Sequence, residues 1–122
     1  MTKIAIIEDD PTISQMYRMK FEADGFDVRM AGNGKIGVDL VKSFKPDIIL
    51  LDIQMPEMDG AAALKLIREH KDSKDTPVII LTNLGEEEAP SEMRSLGISS
   101  YIVKANNTPR QVVAHVKNTI GR

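Results

Sequence analysis

Ile48-Ile49-Leu50-Leu51-Asp52-Ile53-Gln54-Met55-Pro56-Glu57-Met58-Asp59-Gly60 decides how this chain folds. Four large apolar residues end abruptly on an acid, and a turn-rich segment follows at once. Introduced by Pro46-Asp47, the run reads as a strand buried on both faces, the mark of a parallel sheet. Asp52 then stands at the carboxyl end of a central strand, where open α/β sheets place their chemistry. Its backbone is held and its side chain faces the crevice, which makes Asp52 the candidate nucleophile.

The flanking sequence repeats the pattern. Upstream, Lys3 to Ile7 is an apolar run that ends on Glu8-Asp9-Asp10. Asp10 as N-cap and Pro11 at the first position start a helix whose apolar face is Ile13, Met16, Tyr17 and Phe21, with Gly25 at its C-terminal cap. Phe26 to Met30 alternates apolar and polar, as a half-buried edge strand does. Gly32-Asn33-Gly34 turns into a second helix with Ile36, Leu40, Val41 and Phe44 on one side, ended by Pro46.

Downstream, a third helix over Ala61 to His70 turns Leu64 and Ile67 inward, and Glu57 and Asp59 shape the loop before it and cap it. Lys71 to Thr76 is a polar loop. Pro77 to Thr82 is another buried strand, ending on a hydroxyl. Glu86 to Leu96 reads as a fourth helix, with Pro90 tolerable only near its first turn and the acids at its N-terminus. Ser100 to Lys104 is the last strand, ending on a cation. Thr108-Pro109 caps a final helix with Val112, Val113, Val116 and Ile120 inward. Five strand–helix alternations with short connections predict a doubly wound α/β sheet with helices on both faces, in the flavodoxin-like order 2-1-3-4-5.

Every strand of a parallel sheet finishes at the same edge, so Glu8, Asp9, Asp52, Thr82 and Lys104 are expected around one crevice. Two carboxylates about 4 Å apart repel by roughly 4 kcal/mol at an effective dielectric near 20. Three therefore need a cation or a raised pKa. Lys104 offsets one charge. Hard oxygen donors without cysteine or a nearby histidine favour magnesium, which takes one or two carboxylates together with substrate phosphate. Phosphoryl transfer to a carboxylate uses these same parts: an in-line nucleophile, a metal, a cation and a hydroxyl donor.

In this arrangement the chain resembles the receiver domain of two-component response regulators, of the chemotaxis-type, single-domain kind. The resemblance runs through the acids after the first strand, the segment from Asp52 to Gly60, the Thr82 terminus and the Lys104 terminus. It implies that Asp52 accepts a phosphoryl group from a phosphohistidine on a sensor histidine kinase or phosphotransfer protein. It assigns Asp9 and Asp52 to Mg2+, with the Gln54 backbone carbonyl as a third ligand and Glu8 acting directly or through water. Lys104 would bind a phosphoryl oxygen, while Thr82 and Tyr101 would form the two-state switch that biases the face of the fourth helix, last strand and last helix toward a downstream effector protein. There are departures. Ala105 stands where the family usually has proline in a cis peptide, so the bond is either cis or trans with Lys104 placed differently. Asn83 replaces a small residue and would crowd the approach, and Gln54 and Leu84 occupy positions that tune the lifetime of the phosphorylated state.

Composition is consistent with this reading. The 122 residues suit one domain spanning 1–122, and 42% are hydrophobic, a share that supports a packed core. Sixteen basic against eighteen acidic residues, with no basic stripe, leave direct nucleic-acid binding without support. No stretch is membrane-spanning and no signal peptide opens the chain. The absence of cysteine removes thiolate chemistry and fits a cytoplasmic protein. His70 and His115 are too far apart for a compact zinc site and read as surface residues. The expected form is a monomer or weak dimer whose output comes from a partner or from a removed domain. Competing readings are a haloacid-dehalogenase-type phosphatase, which would want Asp where Gln54 stands, a flavin-binding module, disfavoured by the acids in the first loop, and a phosphorylation-independent receiver scaffold.

Overall fold

Five short apolar segments form one parallel sheet in the computed structural model, which describes residues 1–121. The strands are β1 (Lys3–Ile7), β2 (Asp27–Ala31), β3 (Ile48–Leu51), β4 (Val78–Thr82) and β5 (Ser100–Val103), in the order β2-β1-β3-β4-β5. The helices are α1 (Pro11–Ala23), α2 (Gly34–Phe44), α3 (Gly60–Glu69), α4 (Glu92–Leu96) and α5 (Pro109–Thr119). Arg122, the last residue of the expected domain, lies outside the described residues. No described helix is long and apolar enough to cross a membrane.

Alternation along the central strands builds two cores. Ile4 and Ile6 of β1, Ile48 and Leu50 of β3, and Ile79 and Leu81 of β4 face α1 and α5, where they meet Tyr17, Phe21, Val112 and Val116. Ala5, Ile7, Ile49, Leu51, Val78 and Ile80 point the other way, onto Val38 and Val41 of α2, Leu64 and Ile67 of α3, and Met93 of α4. A strand buried on both faces has no polar side to show, which is why these runs are continuous in sequence.

Local signals position the helices. The Asp10 side chain accepts from Thr12 N and Ile13 N at 2.9 and 3.2 Å, with Pro11 beginning α1. Gly25 takes a positive φ of 85° just past its end. Asn33 caps α2 through Ile36 N at 2.8 Å, Asp59 caps α3 through Ala62 N at 2.9 Å, and Thr108 and Gln111 form a reciprocal capping box on α5.

The structure corrects the sequence reading in four places. Glu86 to Leu96 is not one helix: a single 3₁₀ turn covers Glu86–Glu88, Ala89 is extended at φ −69°, ψ 145°, and α4 begins only after Pro90. The residue before a proline is pushed out of the α region, and Pro90 has no N–H with which to continue the turn. Ile36 does not face the core but is 53% exposed; α2 instead presents Gly34, Gly37, Val38 and Val41, with Leu40 and Phe44 half-buried. β2 is the edge strand expected but starts one residue late, at Asp27. β5 stops at Val103, and Lys104 opens a 3₁₀ turn over Lys104–Asn106.

Candidate functional site

Strands β1, β3, β4 and β5 deliver the expected groups to one edge of the sheet. Backbone bonds fix the acids: Glu8 N donates to Ala31 O and Asp52 N donates to Ile7 O, both at 3.0 Å. Glu8 and Asp52 are buried and Asp9 is exposed, yet one carboxylate oxygen from each lies within 4.8 Å of the others. Residues 44 positions apart in the chain therefore converge on a single point.

Lys104 enters from the far side. Its Nζ lies 2.7 Å from Glu8 Oε2 and 3.4 Å from Asp52 Oδ2. The described peptide bonds are all trans, Lys104–Ala105 among them. Of the two arrangements open at the missing proline, the trans one is adopted, and the 3₁₀ turn still aims the ammonium at both acids.

Three carboxylates against one ammonium leave excess negative charge in a partly desolvated place. Burial pushes the Glu8 carboxyl up to about 7, and the Asp52 charge adds to the rise while the hydrogen bond from Lys104 opposes it. Burial alone would lower the Lys104 pKa, but the hydrogen bond to Glu8 and the charges of Asp52 and Glu8 outweigh it and hold it above the ordinary lysine value. The donor set is all oxygen, neither cysteine nor histidine contributes, and a surplus of negative charge remains uncompensated. That chemistry suits a hard divalent cation.

The loop after Asp52 is held close to it. Gln54 N donates to Asp52 Oδ1 at 3.3 Å, and the Gln54 side chain points to solvent. Gly60 N donates to Ile53 O at 2.8 Å, so the start of α3 lies against the end of β3 with no space for a Cβ. Gly34 N donates to Met58 O at 3.1 Å and ties the same loop to α2. Glu57, at the loop's tip, adopts a left-handed φ of 69°. Asp10 and Asp59 act as helix caps, as expected.

Thr82 is fully buried, and its hydroxyl oxygen accepts from Leu84 N at 3.3 Å. Tyr101 is half-buried on β5 and its hydroxyl donates to Leu84 O at 2.8 Å. The two expected switch residues thus grip opposite ends of one residue. Burial raises the Tyr101 pKa, and the charges of Glu86, Glu87, Glu88 and Asp52 add to it. Asn83 lies exposed at the rim, His115 is exposed and His70 is half-buried.

Sequence reasoning missed three contributors. Ser14 is buried and donates its hydroxyl to Glu8 O at 3.3 Å. Arg68 donates to the carbonyls of Leu96, Ser73, Thr76 and Gly97 at 2.8–3.0 Å, joining α3, the loop after it and the end of α4. Asn107 Nδ2 donates to Val103 O at 3.1 Å beneath Lys104. A polar residue at helical phase within an apolar face would have flagged Ser14; nothing in the sequence marks the other two.

Comparison with known proteins agrees with this geometry. The sequence profile of the family described as "Response regulator receiver domain" matches residues 4–117. The chain is 38% identical over 120 residues to the transcriptional regulatory protein SrrA of Staphylococcus aureus, covering 98% of this chain and 48% of SrrA. It is 36% identical over 104 residues to the regulatory protein AtoC of Escherichia coli, covering 85% of this chain and 22% of AtoC. It therefore spans half or less of the length of these curated relatives. Among solved structures, the receiver domain of Francisella response regulator 1452 superposes with a TM-score of 0.87 at 31% identity, covering 100% of this chain and 98% of that one. The chemotaxis protein CheY4 of Vibrio cholerae superposes with a TM-score of 0.89 at 25% identity, covering 97% and 98%.

Proposed function

This chain belongs to the response regulator receiver domain family and is a phosphorylation-dependent signalling switch; on that premise we propose that residues 1–122 form one receiver domain in which Asp52 accepts the phosphoryl group. The observation that carries the assignment is the meeting of Asp52 with Glu8, Asp9 and the Lys104 ammonium at the carboxyl edge of the sheet. Asp52 attacks phosphorus as the P–N bond of a phosphohistidine breaks. The bonding pair stays on the imidazole nitrogen, and a carboxyl-phosphate bond forms on Asp52 Oδ. The donor is a sensor histidine kinase or a phosphotransfer protein.

Glu8, Asp9 and Asp52, with the Gln54 backbone carbonyl, would hold Mg2+, which when bound neutralises phosphoryl oxygens. Lys104 draws a phosphoryl oxygen toward the cluster by charge. The burial of Glu8 and Asp52 keeps the field of that ammonium strong, because little water screens it. Thr82 donates its hydroxyl to the new acyl phosphate. Turning toward that phosphate carries its oxygen away from Leu84 N, and Leu84 O is the acceptor that holds Tyr101. Loss of one contact loosens the other, and the surface of α4, β5 and α5 changes for a downstream effector protein. The domain catalyses only its own phosphorylation and dephosphorylation.

Magnesium and acetyl phosphate, followed by intact-mass measurement, test the assignment. The expected result is a single alkali-labile phosphoryl adduct that disappears in Asp52→Asn. An adduct that persists in that variant, or repeated turnover of a phosphate ester, would overturn it, the latter in favour of the dehalogenase-type phosphatase.

A further inference from the structure

We infer that Asn107 is a positioning residue for Lys104, supplying through its side-chain amide the restraint that sets where the ammonium stands. This rests on the assignment of Lys104 to the phosphoryl group made above and adds a residue to it.

Two restraints determine the location of Lys104. On its N-terminal side, Val103 is paired with Thr82 in the sheet, so the chain enters the turn from a fixed strand. On its C-terminal side the 3₁₀ turn Lys104–Asn106 must be closed, and the backbone bond at its end, from Asn107 N to Lys104 O, is 3.4 Å long. That length is at the far end of useful hydrogen bonding. The Asn107 side chain adds the second closure: Nδ2 donates to Val103 O at 3.1 Å, four residues back, and so spans the whole turn. The residues inside the turn, Ala105 and Asn106, are exposed, and no side-chain hydrogen bond from either accompanies the closure.

The consequence lies at the far end of the Lys104 side chain. Its Nζ must meet Glu8 at 2.7 Å and Asp52 at 3.4 Å together. A turn free to open by an ångström would let the ammonium follow one acid and leave the other. Displacements of that size cost reactions of positioned groups up to about a hundredfold in rate. Asn107 has no contact with the acids, so its effect must travel through Lys104. Only a donor suits the Val103 carbonyl. Aspartate of the same shape cannot replace it.

Two measurements on the full chain test this. The first is the rate of adduct formation with acetyl phosphate and magnesium in Asn107→Ala and Asn107→Asp, each in the wild-type and Lys104→Met backgrounds. Both are expected to slow uptake by about tenfold when Lys104 is present and to have no further effect in Lys104→Met. The second is lysine acylation by an N-hydroxysuccinimide ester in the absence of magnesium and phosphodonor, read peptide by peptide. Lys104 is expected to become about fivefold more reactive in both variants, with Lys3 and Lys117 unchanged. Equal slowing in both Lys104 backgrounds, or a rise in reactivity across all lysines, would reduce Asn107 to a structural role and overturn the inference. Uptake and Lys104 reactivity at wild-type levels would overturn it too. Failure of the wild-type chain to take up phosphate at all would refute the assignment of the site, while the acylation result would still decide whether Asn107 holds Lys104.

Discussion

Replacing Gly60 with alanine probes a close junction between the end of β3 and the start of α3. A Cβ built at Gly60 presses into the Asp52 carbonyl oxygen and comes within 2.7 Å of Ile53 Cα. Both neighbours are backbone, so no side-chain rotation relieves the overlap. The Gly60 N–H is bonded to Ile53 O at 2.8 Å, and moving α3 away to make room stretches that bond. Overpacking in a well-filled interior costs about 1–3 kcal/mol, and backbone on both sides of the clash places this case at about 3 kcal/mol. For a domain of this size that lowers Tm by about 10 °C. Gly32→Ala is the control, because a Cβ there meets nothing within 4 Å and should leave stability within about 0.5 kcal/mol of wild type. Urea unfolding of the two variants, followed by far-UV circular dichroism, makes the comparison, and an unchanged m-value would show that the loss lies in the folded state. A Gly60→Ala midpoint matching that of Gly32→Ala would refute the reasoning. Since the Asp52 carbonyl is among the atoms displaced, phosphoryl uptake should fall along with stability.

Two further predictions concern charge and anchoring. Glu8 has a folded pKa of about 7 against an ordinary 4.5, so between those values the folded chain holds a proton that the unfolded chain has lost. Stability contributed by Glu8 is therefore full below pH 4.5 and declines as pH rises toward 7. The metal-free wild type should lose more urea resistance across this window than Glu8→Gln, and magnesium should restore it at the upper end; parallel profiles would contradict the assignment. Arg68→Met removes the donor shared by four carbonyls and should cost about 3 kcal/mol, with hydrogen exchange rising in residues 70–76 and at the end of α4; exchange confined to α3 would show that the guanidinium does not join these segments.

The elements visible in the sequence were those whose signals are local. Continuous apolar runs marked the buried strands, and Asp10, Asp59 and Thr108 announced their helices because a capping oxygen acts on amides two or three residues away. The acids and Lys104 could be gathered into one site because parallel strands must finish at a common edge. What escaped depends on neighbours distant in sequence. Ile36 reads as a core residue by periodicity, yet α2 approaches the sheet through Gly37, whose missing side chain makes space for Ile7. Close approach called for the absence of bulk, and hydrophobicity does not report that. The acidic run before Pro90 imitates a helix start and so conceals the break there. Arg68 and Asn107 serve carbonyls whose positions exist only once the chain has folded, and no pattern of residue types encodes them.

The interruption at Pro90 has an energetic consequence. The stretch between β4 and β5 holds five residues of α4 and one 3₁₀ turn, with Met93 its only fully buried side chain, and Arg68 clasps only its far end. Short elements anchored by one fully buried side chain open locally at lower cost than the central sheet, so this stretch is the part expected to respond if Asp52 is phosphorylated as proposed.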